Sequence, residues 1–187
     1  MAKRVIIIHG WNGRPQGGWK PWLKKKLEGK GFEVYVPAMP NPSMPNMGEW
    51  VDRIIREIGR PDKDCILVGH SLGCIAILRY LEGLGKDESV GGAVLVAGFS
   101  DNLGMFLFNS FFSSPLDWKG IKSHCNKFVA IHSDNDRYVP LRHGDIFRRE
   151  LRAKLVVKKG MGHFSGDEGC TELPVALDAV LGIAAEN

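Results

Sequence analysis

Ser71 is the residue on which chemistry can be built. It stands in Gly69-His70-Ser71-Leu72-Gly73, a match to G-x-S-x-G. An apolar run, Cys65 to Val68, precedes it and reads as a buried strand. Leu72, Ile75, Ala76, Leu78 and Leu81 follow at helical spacing. A sharp turn from strand to helix puts serine at its tip, with the hydroxyl pushed out of the sheet end. Such a turn strains the serine backbone. Glycine two residues to either side keeps strand and helix from jamming. The helix start aims free N–H groups at negative charge developing beside the serine. A glycine-flanked turn with a capping serine would match the same pattern. The place of the motif at a strand-to-helix junction is what favours a nucleophile.

A serine hydroxyl is a poor nucleophile at neutral pH. It needs a base to take its proton, and the base needs an orienter. On a strand-turn-helix scaffold of this kind the chain order is serine, acid, histidine. His163, in Gly160-Met161-Gly162-His163-Phe164, follows a strand and precedes the last helix, so it is the expected base. His9 reads as structural, and His70 points away from the serine by turn geometry. His124, His132 and His143 have no matching placement. Three acids compete. Asp136 leads, because Asp-x-x-Val-Pro runs directly into a helix. Asp134 comes second, with turn capping as its other role. Asp101, after the fourth strand, comes third.

Acyl transfer also needs donors for the oxyanion. The backbone N–H of Leu72 follows the nucleophile. The second is expected from the loop after the first strand, at Trp11 in His9-Gly10-Trp11. The very apolar stretch Met105 to Phe112 follows a strand and reads either as a core helix or as the lip of a pocket. Phe108 and Phe111 are the candidates to line an acyl site there.

Apolar runs alternate with helical patterns along the whole chain. Strands are expected at Val5–Ile8, Phe32–Val36, Cys65–Val68, Gly92–Ala97, Phe128–His132 and from Leu155 to Val157. Helices are expected at Trp19–Leu27, Met47–Ile58, from Ser71 to about Leu84, at Leu141–Leu151 and at Leu173–Ile183. Pro37 to Pro45 holds four prolines and reads as a loop bordering the site. The expectation is an α/β fold: one domain over 1–187, with a mostly parallel sheet of about six strands and helices on both faces. In such sheets ligands sit beyond the carboxyl ends of the strands.

The 187 residues can bury a sizeable core, and the apolar and charged shares, 44% and 25%, are ordinary for a soluble globule. The net charge of +4 is mild, and the lysines from Lys20 to Lys30 read as solvated helix faces. No nucleic-acid partner, metal or membrane span is expected. Cys65, Cys74, Cys125 and Cys170 form no C-x-x-C pair and read as reduced packing residues of a cytoplasmic protein.

With these residues in place, the sequence resembles the alpha/beta-hydrolase superfamily. Within it, the chain is similar to the YdeN-like small serine hydrolases, the group that includes the retinoblastoma-binding serine hydrolase. The likeness spans the first strand and glycine loop, Met39-Pro40-Asn41-Pro42, Gly69-His70-Ser71, the acid loop ending at Pro140, and Gly162-His163-Phe164. It implies a triad of Ser71, Asp136 and His163, a sheet without a large cap domain, and cofactor-free hydrolysis of small esters or amides, without naming a substrate. A rival from another class is a binding protein on a hydrolase scaffold. A vestigial site would be expected to lose a member, and none is missing.

Overall fold

The computed structural model describes residues 3–186. Six strands form one sheet: β1 Arg4–Ile8, β2 Glu33–Tyr35, β3 Cys65–His70, β4 Gly92–Val96, β5 Phe128–Ser133 and β6 Lys154–Lys158. Their order is β2-β1-β3-β4-β5-β6, and every pairing is parallel. The central strands are buried along nearly their whole length, which is why they read as unbroken apolar runs rather than alternating ones. The edge strands β2 and β6 are largely exposed or half-buried and correspondingly short or polar.

Helices cover both faces. Helices α1 (Lys20–Glu28) and α6 (Pro174–Ala185) close one core with Ile7, Val68 and Val94 of the sheet. The other core holds α2 (Met47–Ile58), α3 (Leu72–Glu82), α4 (Trp118–His124) and α5 (Arg142–Leu151), against Ile6, Leu67 and Leu95. Helix α2 begins where Asn46 accepts the N–H of Glu49, and Trp50, Ile54 and Ile58 turn its apolar stripe inward. Each such buried side chain contributes roughly 1.5–3 kcal/mol. Among the described residues no helix is long and apolar enough to cross a membrane.

The connection from β4 to β5 carries no cap. It holds a 3-10 segment, Phe106–Phe112, and then α4. Arg79 of α3, itself buried, anchors it: Nε donates to Phe111 O at 2.8 Å, and the guanidinium also reaches the carbonyls of Ser114 and Pro115. Phe111 is fully buried against Trp50, ring centroids 5.8 Å apart. It is therefore part of the core, and the pocket wall expected of it does not form. Phe108 instead packs between Phe99 and Trp11.

The chain crosses from β2, on one side of β1, to β3 on the other. The loops after β1 and β3 therefore part over a crevice at the carboxyl end of the sheet.

Candidate active site

Ser71 sits between the end of β3 and the start of α3 with φ 54° and ψ −121°. That conformation costs a non-glycine residue about 1–3 kcal/mol and is held by what surrounds it. Its N–H donates to Val96 O at 2.8 Å, and its C=O accepts from Cys74 N at 2.9 Å. The turn closes tightly: a Cβ at Gly69 would stand 2.7 Å from Cys74 N, and one at Gly73 would strike the carbonyls of Ile8 and His9.

The loop after β1 lies directly over the serine. A side chain at Gly10 would put its Cβ 2.9 Å from that of Ser71. Buried His9 fixes the loop, with Nδ1–H donating to Gly10 O at 2.8 Å and Nε2 accepting from Met39 N at 3.0 Å. The proline loop props it from outside: Asn12 N donates to Pro42 O and the Trp11 indole donates to Ser43 O. Asn12 and Gly13 have bonded backbone N–H groups, whereas that of Trp11 meets no acceptor among the described residues. Leu72, first in α3, has its N–H in the unpaired first turn of the helix. Both residues singled out in the sequence thus carry backbone N–H groups without an acceptor among the described residues.

His163 comes from the loop after β6. Its Nε2 is 2.9 Å from Ser71 Oγ, and its Nδ1 is 2.8 Å from Asp136 Oδ2. The carboxylate can only accept, so Nδ1 carries the proton and Nε2 offers its lone pair to the serine. The Asp136 side chain is 2% exposed. Its other oxygen accepts the N–H groups of Tyr138 at 2.8 Å and Val139 at 3.0 Å. The two other acids stand elsewhere. Asp134 Oδ1 accepts from Gly160 N at 2.9 Å, bracing the two loops. Asp101 faces His143, with Oδ2 4.0 Å from Nε2.

Several side chains that hold His163 in place were not singled out in the sequence. Ser133 Oγ accepts from Met161 N and Asn135 Oδ1 from Gly162 N, so three consecutive residues of the acid loop grip three consecutive N–H groups of the histidine loop. Glu168 Oε2 takes the N–H of His163 itself at 2.7 Å. Ser165 and Glu168 form a capping box, and S-x-x-E is a signal the sequence carries openly. His70 turns from the serine, as its position in the turn requires, and reaches His163: Nε2–H donates to His163 O at 2.8 Å. Burial first, and then the nearby charge of a protonated His163, hold His70 well below the ordinary histidine range, so it stays neutral.

A parallel sheet with a strained serine at its switch point, a histidine on its hydroxyl and a carboxylate behind it is the architecture of an alpha/beta-hydrolase. The chain belongs to the serine hydrolase family, whose model matches residues 5–181. It is 35% identical over 181 residues to YdeN of Bacillus subtilis (strain 168), covering 96% of this chain and 95% of that one. Serine hydrolase RBBP9 of Rattus norvegicus is 30% identical over 170 residues, 88% of this chain and 89% of the other. The crystal structure of the B. subtilis ydeN gene product superposes with a TM-score of 0.94 at 34% identity, covering 98% of this chain and all of that one.

Proposed function

We propose that the protein hydrolyses small carboxylic esters through an acyl-enzyme on Ser71, with Asp136 and His163 completing the triad. The observation that carries this reading is the unbroken hydrogen-bonded run from Ser71 Oγ through His163 to Asp136, at 2.9 and 2.8 Å. Ser71 Oγ attacks the carbonyl carbon while Nε2 takes its proton. Asp136 keeps the proton on Nδ1 and stabilises the imidazolium. The oxyanion gathers the N–H groups of Leu72 and Trp11. Collapse breaks the bond to the leaving oxygen, which receives the proton from Nε2. Water then removes the acyl group with His163 again as base.

Amides and thioesters could follow the same steps. Esters are favoured over amides, since an alkoxide or phenoxide departs with less help from the proton than an amine does. The acyl group would meet Phe108 only at its margin, since that ring is 4% exposed and packed edge-on against Trp11. The four cysteines, all unpaired and buried, support a reducing, cytoplasmic setting.

A fluorophosphonate tests the reading directly. Only a serine activated by a working base attacks it quickly, and its phosphoryl oxygen occupies the oxyanion position. One label per chain, on Ser71, is expected at neutral pH. A folded protein that takes no label, or takes it on another serine, sinks the assignment.

A further inference from the structure

Tyr138 is a large side chain left in the open, 65% exposed. Its backbone is nonetheless fixed, because its own N–H and that of Val139 are both bonded to Asp136 Oδ1. Its ring meets the imidazole of His163 edge-on, with centroids 5.2 Å apart and planes at 63°. The ring of His70 also lies against His163, at 5.1 Å, but it is buried. A ligand can therefore approach His163 along Tyr138 and not along His70.

The chemistry says which part of a substrate comes that way. An oxygen that takes the proton from Nε2 must come within about 3 Å of it. The group bonded to that oxygen then lies on the surface flanking the open side of His163. Tyr138 is an exposed ring in contact with His163. The Trp11 ring belongs to the oxyanion loop and packs on Phe108, so it borders the serine from the other loop.

Resting on the reading of Ser71 as an ester-cleaving nucleophile, we propose that Tyr138 forms a leaving-group subsite and selects esters whose departing alcohol carries an aromatic ring. An aryl group seated on Tyr138 gains both buried area and ring-to-ring attraction, whereas a small alkyl group gains little of either. The step balances without any further reagent. The carbonyl carbon gains a bond to Ser71 Oγ and loses its bond to the aryl oxygen, and the serine proton passes through Nε2 to the departing phenol. Tyr138 takes no proton. It touches the substrate and sets which one is preferred.

The test compares phenyl acetate with the acetate of a fluorinated alkyl alcohol about as acidic as phenol. Both esters produce the same acetyl-Ser71, so deacylation is common and any difference lies in acylation, read as kcat/KM. The ratio of kcat/KM for phenyl over alkyl acetate should fall about threefold to tenfold in Tyr138→Ala. Tyr138→Phe, which keeps the ring, should hold the wild-type ratio. Equal losses on both esters in Tyr138→Ala would mean that the ring merely steadies His163, and would overturn the subsite alone. A wild-type protein in which neither ester acetylates Ser71 overturns the ester reading and the subsite with it, so the two failures are told apart before any variant is made.

Discussion

Ser71, His163 and Asp136 have a counterpart in Ser100, His143 and Asp101, a second set of the same three residue types. The wiring differs at each link. Ser71 is held at positive φ in a turn that lifts its hydroxyl, and it meets a histidine nitrogen whose opposite nitrogen is 2.8 Å from a carboxylate. Ser100 presents both its backbone N–H, at 3.2 Å, and its hydroxyl, at 3.0 Å, to the same nitrogen, His143 Nδ1. That lone pair is already shared with a backbone donor. On the far side the Asp101 oxygen lies 4.0 Å from Nε2, too long for a hydrogen bond, and Nε2 is buried without a partner. The same side chains thus form an unbroken hydrogen-bonded run in one place and a run broken at the carboxylate in the other. What separates them is the strained turn and the carboxylate distance, not composition.

The comparison breaks most sharply at the nucleophiles. Ser71→Ala should abolish ester turnover and fluorophosphonate labelling together, while the protein still folds. Next comes the carboxylate. Asp136→Asn loses the acceptor that fixes the imidazole tautomer, a cost on the order of 10⁴ in kcat in a well-studied triad. Asp134→Asn and Asp101→Asn should cost far less, and steady-state kinetics showing the reverse order would reassign the acid.

The surroundings of the second set should show themselves in stability instead. His132, buried beside His143, is pushed down to about 4 by burial first and then by the charge of His143. Between about 4 and the ordinary value of 6.5 the unfolded chain holds a proton that the folded chain does not. Stability is therefore full above that window, falls as pH drops through it and levels off below, by on the order of 3 kcal/mol for this group. His132→Phe, whose ring can keep the contact with Phe147, should flatten the acid limb of denaturant midpoints against pH by about that amount. An unchanged acid limb would show that His132 does not carry it.

Smaller effects should sharpen the contrast. Glu168→Ala removes the acceptor of the His163 N–H and should lower kcat about tenfold, with restoration of much of it in Glu168→Gln, which keeps an acceptor oxygen. A loss in KM alone would place Glu168 in substrate contact instead. The smallest change belongs to Ser100→Ala. It removes a hydrogen bond worth about 1 kcal/mol, visible in thermal unfolding, and should leave the labelling rate of Ser71 as it was.

Much of the fold was legible because the central strands are buried on both faces and so appear as uninterrupted runs, such as Val5-Ile6-Ile7-Ile8. The α2 helix carried its cap and stripe in the open, and its bounds were read correctly. Helix α4 was not read, since in Trp118–His124 Ile121 and His124 are its buried residues and no stripe develops over so short a span. The phenylalanine stretch gave no clear period because it folds as a 3-10 segment, tethered by an arginine more than thirty residues away in sequence. That tether decides that Phe111 is core. At the site, Ser71 and His163 were readable from local pattern and chain order. Asp136 led three candidates in the sequence, and the structure sets the other two elsewhere, Asp134 against Gly160 and Asp101 against His143. The supports of His163 from His70, Ser133 and Asn135 join residues far apart in sequence, and spacing alone does not reveal such pairs.

The position of β6 at the edge of the sheet bears on how long the site stays assembled. Ser71 follows an interior strand paired on both sides, whereas His163 follows a strand paired only with β5. Its half-exposed ladder should open more often than the central ones, in local events that leave the rest of the sheet folded. Each such opening carries the histidine loop away from the serine. Inactivation by denaturant should then run ahead of global unfolding, and amide exchange along Lys154–Lys158 should be faster than along Cys65–His70 and track the loss of labelling.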